Sequence, residues 1–538
     1  MRRLLVCLFV LGLWTAPASG QGPAQERLQE LRPTPTIVSN TVQELAAAGD
    51  SLWAGPLLTV YAEEEDSLFA PDGPVVQRRL LDGSNVVFSL AAEAASGDPS
   101  TVWAGLAFDA GGSSVGGGGF LVSTDGGNSF EERPAPLDNP ADTTVRYGSS
   151  TLPAVPITQE GGSPPQDLAL SGEDSVWVAG SRSGLRRSVD QGQTWSRVVL
   201  PPDTSTRIEP SASYDFLVAP PLEDGRGFQN YQALSVLVDE TGTIWAGTLA
   251  GLNRSTPDDV GPDGDRAWRL FRPDGTPNSL NGQIVFALAE QPRPDGRNPV
   301  WMATLRAQTN ESVQRSGLTV TPDGGDTFRQ PLIGEQVNDV AARQDRVYAA
   351  AESGLFVSGD QGTTWRSIEE VSLRDDDQVL PGGMTARAVE VTPSALWVGT
   401  TEGLLRLERT DEARLLPDDG ESPPEWRLFR TRVPVNPDEP TEQVPDVETY
   451  AYPNPFIPSR DEVVRIAYEV PESQQVEVTI YDFGMNRVRT LRDQEPAGQQ
   501  EMVWDGTDDS GLRLPTGTYL YTVEVGGSTA RGKILISN

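Results

Sequence analysis

A short phrase, one apolar residue followed by an aromatic and small residues, recurs seven times in this chain. It reads LWAG at Leu52, VWAG at Val102, VWVAG at Val176, IWAG at Ile244, VWMA at Val300, VYAA at Val347 and LWVG at Leu396. The aromatics Trp53, Trp103, Trp177, Trp245, Trp301, Tyr348 and Trp397 are spaced by 50, 74, 68, 56, 47 and 49 residues. Several copies follow an apolar segment and a tight turn, and several precede a Gly-Leu strand, as at Gly184-Leu185, Gly251-Leu252, Gly354-Leu355 and Gly403-Leu404. Four short strands in a repeat of roughly 40–50 residues is the pattern of a β-propeller blade. Such a blade buries both faces only when neighbours stack on it, and an aromatic at one fixed place fills the wedge between them. The repeat predicts an all-β chain with a single propeller of seven blades over residues 37–430. A row of β-sandwiches would explain the alternation of residues, but not one aromatic phrase repeated in phase.

A second motif runs in register with the first. STDGGNSF (Ser123 to Phe130), SVDQGQTW (Ser188 to Trp195), TPDGGDTF (Thr321 to Phe328) and SGDQGTTW (Ser358 to Trp365) share S/T-x-D-x-G-x-S/T-aromatic, with a worn copy from Asp263 to Trp268. The Asp can accept backbone N–H groups of its own turn, the Gly can take a left-handed conformation, and the aromatic can tuck under the blade. This motif resembles the Asp box, or BNR repeat, of sialidases, sortilins and related propellers. LSVLVDETGTIWAGTLAGLNR (Leu234 to Arg254) and ALWVGTTEGLLRL (Ala395 to Leu407) are similar to the propeller repeats of two-component regulator sensors. The resemblance implies that Asp125, Gly127, Asp190, Gly192, Asp323, Gly325, Asp360 and Gly362 build the fold between third and fourth strands, away from a catalytic face. A sialidase also needs an FRIP-type segment, an arginine triad and a Tyr nucleophile with a Glu partner. FRPD at Phe271 is a poor match, and Arg146, Tyr147, Tyr214 and Tyr231 fall in insertions. A glycosidase using a pair of carboxylates is the enzyme alternative.

Insertions interrupt the repeat at 108–118 and 304–316 after second strands, and at 131–166, 201–232 and 367–383 after fourth strands. All are expected on one face of the ring, opposite the Asp boxes, and long loops on a rigid scaffold are where ligands bind. The Gly-rich run from Gly111 to Gly119 also reads as a tolerated surface loop. The acidic runs 63–66 and 375–377 read as solvated surface, without the spacing of a calcium loop.

Composition removes several chemistries. The chain has no His, and its one Cys is Cys7, which excludes Ser-His-Asp and Cys-His nucleophiles, His-ligated zinc and a disulfide framework. Asp and Glu number 77 against 42 Lys and Arg, a net charge of −35, which excludes a general nucleic-acid partner. Lys533 is the one lysine. An acidic, lysine-poor surface fits a halophilic setting, where salt screens self-repulsion. No cofactor, metal or catalytic residue is assigned, so a non-catalytic module binding a glycan, peptide or protein is the expectation.

The ends of the chain give an address. Arg2 and Arg3, the apolar run from Leu4 to Trp14 and the small residues up to Gly20 read as a signal peptide over 1–20, too short to span a bilayer. No other stretch reads as a transmembrane segment. Residues 431–450 are rich in Pro and acids and read as a linker. From 451 to 538 short alternating strands suit an immunoglobulin-like β-sandwich. YPNPF with Pro453, Asn454 and Pro455, IYDFGMNRVRTL (Ile480 to Leu491) and WDGTDDSGLRLPTGTYLY with Trp504, Asp505 and Gly506 resemble type A sorting domains of the type IX secretion route. The same pattern is similar to the immunoglobulin-like domain of flagellar hook-capping proteins. The resemblance implies export through both membranes by the type IX secretion machinery, with the passenger then anchored at the cell surface or released. It also implies a further alternative, a propeller component of that machinery which keeps the domain.

Overall fold

The computed structural model describes residues 41–429 and 449–537, apart from 63–66, 70, 72–75, 77–78, 81–84, 95–99, 111–114, 173, 262–263, 295, 308–313, 369–370, 375–384, 417–421, 453, 455, 457, 459–462 and 496–497. The expected signal peptide, nearly all of the linker, both acidic runs, Asp263, Pro453 and Pro455 thus lie outside the described residues.

Seven antiparallel sheets follow one another along the chain, over residues 45–69, 85–133, 165–197, 233–271, 284–321, 337–368 and 386–429. We number them as blades 1 to 7. Strands within each blade lie side by side in chain order, so the first strand is innermost. Blade 4 gains an outer strand, Arg207–Ile208, blade 7 gains the parallel outer strand Ser372–Leu373, and the fourth strand of blade 5 shrinks to a bridge between Val320 and Arg329. The inner strands neighbour one another in a ring, from Leu45–Ala48 round to Ala386–Val391 and back. Among the described residues, blades 1 and 7 exchange no strand. Their seam closes through a hydrogen bond from Val42 N–H to the Thr400 carbonyl (2.9 Å) and one apolar core of Val42, Leu52, Tyr61, Trp397, Leu404 and Phe429.

The repeated aromatics sit on the second strand of each blade and are 2% exposed or less. Four seams are covered by the Asp box of the following blade. Each box ties its own turn in one way. Ser188 Oγ accepts Gly192 N–H (2.8 Å), Asp190 Oδ1 accepts Thr194 N–H (2.8 Å), and Asp190 Oδ2 accepts the Thr194 hydroxyl (2.6 Å). Asp125, Asp323 and Asp360 make the same set with Ser129, Thr327 and Thr364. The box glycine then lies flat on the preceding blade's aromatic: Gly127 on Trp53, Gly192 on Trp103, Gly325 on Phe271 and Gly362 on Trp301. The box aromatics Phe130, Trp195, Phe328 and Trp365 meet those same rings, with centroids 5.4–6.5 Å apart. Other seams use other lids. Arg187 and Arg266 lie over Trp177, while Arg406, Tyr61 and Phe429 pack on Trp397.

Two insertions, 131–166 and 201–232, depart from the expected face. The segment after blade 2 forms a hairpin, Thr144–Tyr147 with Ser150–Pro153, whose tip reaches the turn between the third and fourth strands of blade 4. There Tyr147 Oη donates to the Arg266 carbonyl (2.9 Å) and Gly148 N–H donates to Asp265 (2.7 Å). That turn stands where an Asp box would be, so the insertion wraps the outer rim instead of crowning the opposite face. Its apolar residues decide this, because Tyr147, Leu152, Val218, Phe228 and Tyr231 share one core with the blade 3–blade 4 seam. Asp138 pins the belt to blade 3 through Arg186 (2.5 Å) and Arg197 (2.7 Å). Burial pushes the Asp138 carboxyl up, but the two guanidiniums outweigh it and hold it at about 2. The Gly-rich run is likewise no loop where it is described. Gly116 to Gly119 belong to the strand Val115–Ser123, and a Cβ at Gly117 or Gly119 would overlap the carbonyls of Ser163 or Arg133.

After the propeller, two sheets form a sandwich. One holds Thr449–Tyr452, Val464–Val470 and Gly498–Trp504; the other holds Arg487–Glu495, Gln474–Tyr481, Gly517–Val525 and Ser528–Ile536. The strand that opens it starts at Thr449, two residues before the expected boundary. Gly506 lies against Phe456, Trp504 Nε1 donates to the Thr507 carbonyl (2.8 Å), and Asn454 bonds the last strand at Lys533 and Leu535. The YPNPF and WDG motifs therefore meet at one spot.

A lid role for the box glycines predicts a position-specific cost. Gly362, at φ +75°, has no room for a methyl group beneath Trp301, whereas Gly225, at φ +80°, faces open space. Gly362→Ala should lower unfolding free energy in urea by about 2–4 kcal/mol, combining overpacking with backbone strain, and Gly225→Ala by only about 1–2.

Candidate functional site: carboxylates on the propeller axis

An inner strand of a propeller is a sheet edge, so half of its N–H and C=O groups point away from any neighbouring strand. Pairing with the blade aromatic fixes the register. Ala46, Ala91, Ala169, Leu237, Ala289, Ala341 and Glu390 stand opposite the seven aromatics. Two residues earlier, the same face carries Glu44, Ser89, Asp167, Ser235, Ala287, Asp339 and Ala388. In six blades a β-bulge precedes this position, as at Pro165/Asp167 and Val337/Asp339. Bulges increase local twist and re-aim side chains.

Three polar members of this tier, Asp167, Asp339 and Ser235, bridge blades. Asp167 Oδ2 accepts Val236 N–H from the next inner strand (2.9 Å), and Asp339 Oδ2 does the same with Val389 N–H (2.9 Å). The Ser235 hydroxyl donates to the Val285 carbonyl (3.3 Å). Glu390 stands one step along its strand, its Oε1 accepting Val391 N–H (2.8 Å). Burial raises all four carboxyls above the ordinary range, and repulsion from Asp339 adds to it for the other three. Asp167 is pushed up to about 7, Asp339 to about 6 and Glu390 to about 7, with Glu44 well above its usual value. The four carboxyls stand on inner strands of the same ring, and Asp339 repels each of the other three. The arrangement can hold protons near neutral pH. Among the described residues no three acidic, His or Cys side chains converge closely enough to hold a metal ion.

The residues singled out from sequence lie elsewhere. The four Asp boxes and seven aromatics are distributed around the seams, and the structure does not gather them into one site. Tyr214 Oη accepts Glu209 N–H and Tyr231 Oη donates to the Ser183 carbonyl, so these two, with Tyr147, belong to the rim belt. The acids on the axis escaped sequence reading because their offset from the repeated aromatic varies from 7 to 10 residues and the same tier carries Ser or Ala in the other blades. A cleft between blades 6 and 7, lined by Arg366, Ile368, Arg414, Leu415, Pro423 and Trp426, encloses about 120 Å³. That is below the roughly 300 Å³ at which small-molecule sites begin.

Comparison with known proteins divides the chain. Residues 460–530 match the FlgD Ig-like domain family. The chain carries an FlgD-type Ig-like domain at its C-terminus. FlgD of Pseudomonas aeruginosa is 29% identical over 14% of this chain and 60% of that one, with a TM-score of 0.12. The GH74 xyloglucanase of Xanthomonas campestris is similar in fold, with 14% identity, 94% of this chain and 74% of that chain covered and a TM-score of 0.50. PorZ, a surface component of the type IX secretion system of Porphyromonas gingivalis, is 15% identical over 93% of this chain and 75% of its own, with a TM-score of 0.32. No curated protein matches the chain. Ahead of the Ig-like domain the likeness to the xyloglucanase goes with a propeller-like all-β fold. No described helix is long and apolar enough to cross a membrane.

The axial carboxyls set a pH dependence. Their folded pKa values lie above the unfolded values near 4, so their stabilising contribution is full below about pH 4 and is lost as pH rises to about 7. Asp167→Asn should flatten this decline, gaining on the order of 1 kcal/mol over wild type at pH 8 relative to pH 5, as read by urea unfolding at both pH values.

Proposed function

We propose that the protein is an exported, surface-displayed binding scaffold, in which the propeller and the Ig-like domain act as one body. The observation that carries this reading is an ion triad between the two. Arg465, on the strand Val464–Val470 and only 4% exposed, bonds Glu501 of its own sandwich (2.8 Å) and Glu402 in the turn between the second and third strands of blade 7. Removing one partner from a buried pair leaves an uncompensated charge, so such contacts fix geometry even where their net stabilisation is small. A domain docked in this way is a lasting part of the molecule. It presents Phe483, Met485 and Leu512, which are 81%, 61% and 68% exposed, on two turns joined by the Asp509 N–H to Val488 carbonyl bond. Exposed apolar residues held on rigid turns fit a protein partner.

In this reading the signal peptide and the motifs shared with type A sorting domains deliver the chain through both membranes to the cell surface. The triad equally favours a second reading, a component of the type IX machinery that keeps its C-terminal domain. A secreted glycosidase is the competing class. Incubating the full chain with a labelled glycan library separates them: retention of a glycan or no engagement, in either case without release of new reducing ends, is expected. Catalytic release of sugars would overturn the scaffold.

A further inference from the structure

Three blades place an arginine opposite their second-strand tryptophan, each with a buried, unpaired Nε, and in two of them another guanidinium nitrogen has a protein partner. Arg406 of blade 7 pairs with Glu408, and Arg254 of blade 4 donates to the Gly324 carbonyl in the next blade's Asp box. Arg187 of blade 3 is different. It faces Trp177, with its guanidinium carbon 5.3 Å from the ring centroid, yet among the described residues it has no hydrogen bond and no carboxylate partner. Its Nε is buried and unpaired.

A second arginine occupies the same ring. Arg266, from the blade 4 turn, lies 5.9 Å from the Trp177 centroid, and its Nε is also buried and unpaired. Its Nη1 reaches only the Ser255 hydroxyl (3.4 Å) and the Thr256 carbonyl (3.3 Å). Burial lowers both guanidinium pKa values, and Arg187 lowers that of Arg266 further. The nearby carboxylates are already engaged. Asp259 accepts the Thr256 N–H (2.9 Å) and hydroxyl (2.8 Å), while Asp265 accepts Gly148 N–H from the rim belt. Two half-buried cations thus share one indole, and among the described residues neither makes an ion pair; the Asp259 charge acts on Arg266 but not on Arg187, in a chain of net charge −35.

We propose that the blade 3–blade 4 seam is an oxyanion site, in which Arg187 and Arg266 take a sulfate or phosphate group against Trp177. Guanidinium forks match the oxygens of such groups, and a partly desolvated pair gains most from a neutralising anion. Free ions and esters carried on a polysaccharide offer the same chemistry. The site is independent of the docked Ig-like domain, so either idea can fail alone.

Equilibrium dialysis of the full chain against radiolabelled inorganic sulfate and phosphate, with ionic strength held by chloride, tests it. One saturable site is expected, weakened at least tenfold in Arg187→Gln and in Arg266→Gln and unchanged in Arg269→Gln, whose exposed guanidinium sits on Phe271. Competition by dextran sulfate at equal sulfate-group concentration assigns the source: tighter binding of the polymer marks a polysaccharide ester, and equal binding marks a free anion. Tryptophan fluorescence confirms folding of each variant, and Arg187→Gln, which breaks no hydrogen bond, decides if Arg266→Gln misfolds. No saturable binding, or binding that neither substitution weakens, overturns the site.

Discussion

Each blade of this propeller buries one aromatic that it cannot cover by itself. A four-stranded sheet leaves the Trp of its second strand on an open face, and only the following blade can close over it. The Asp box is one solution, since its carboxylate stiffens a turn until a bare glycine backbone can lie on the indole. Arg266 over Trp177 and Tyr61 over Trp397 are others. Such contacts make the ring cooperative, and the last forms between blades 1 and 7, which share no strand among the described residues. Long-range closure of this kind loses more chain entropy than any local hairpin, so the aromatic area at that seam has to offset it.

Charge is sorted by radius. The Asp-box carboxylates at the periphery accept several N–H and O–H donors each, which holds Asp190 and Asp360 at about 2. On the axis the carboxyls have at most two donors each, partial desolvation and the charge of Asp339 nearby, and their pKa values rise. The two groups act in opposite directions with pH. The peripheral set contributes stability that is lost as pH falls from about 4 toward 2, and the axial set contributes stability that is lost as pH rises from about 4 to 7. Together they favour the folded ring most on the acid side of neutrality.

The fold was legible because its key residues repeat. Trp53 to Trp397 mark every second strand, and the box motif marks the turn that follows the third. The rim belt was not legible, because a loop's destination depends on what its apolar residues find: Tyr147 and Tyr231 find the blade 3–blade 4 core, which no local pattern announces. The axial acids were hidden by variable hairpin lengths, so Asp167 and Asp339 share a tier without sharing an offset. Arg187 closes a Gly-Leu-x-Arg run that Arg254 and Arg406 also close. Its isolation emerges only by comparison with Arg254 and Arg406 at equivalent places in their blades.

The two-body reading rests on one buried guanidinium, Arg465, held between Glu402 of blade 7 and Glu501 of the sandwich. If the Ig-like domain is a docked part of a surface scaffold, it must remain on the mature molecule. Intact mass and terminal peptides of protein isolated from its native cells, with surface and medium fractions kept apart, read this directly. The account predicts a chain that keeps its C-terminal peptide through the strand Ser528–Ile536. A mature chain ending between residues 430 and 448 would contradict it.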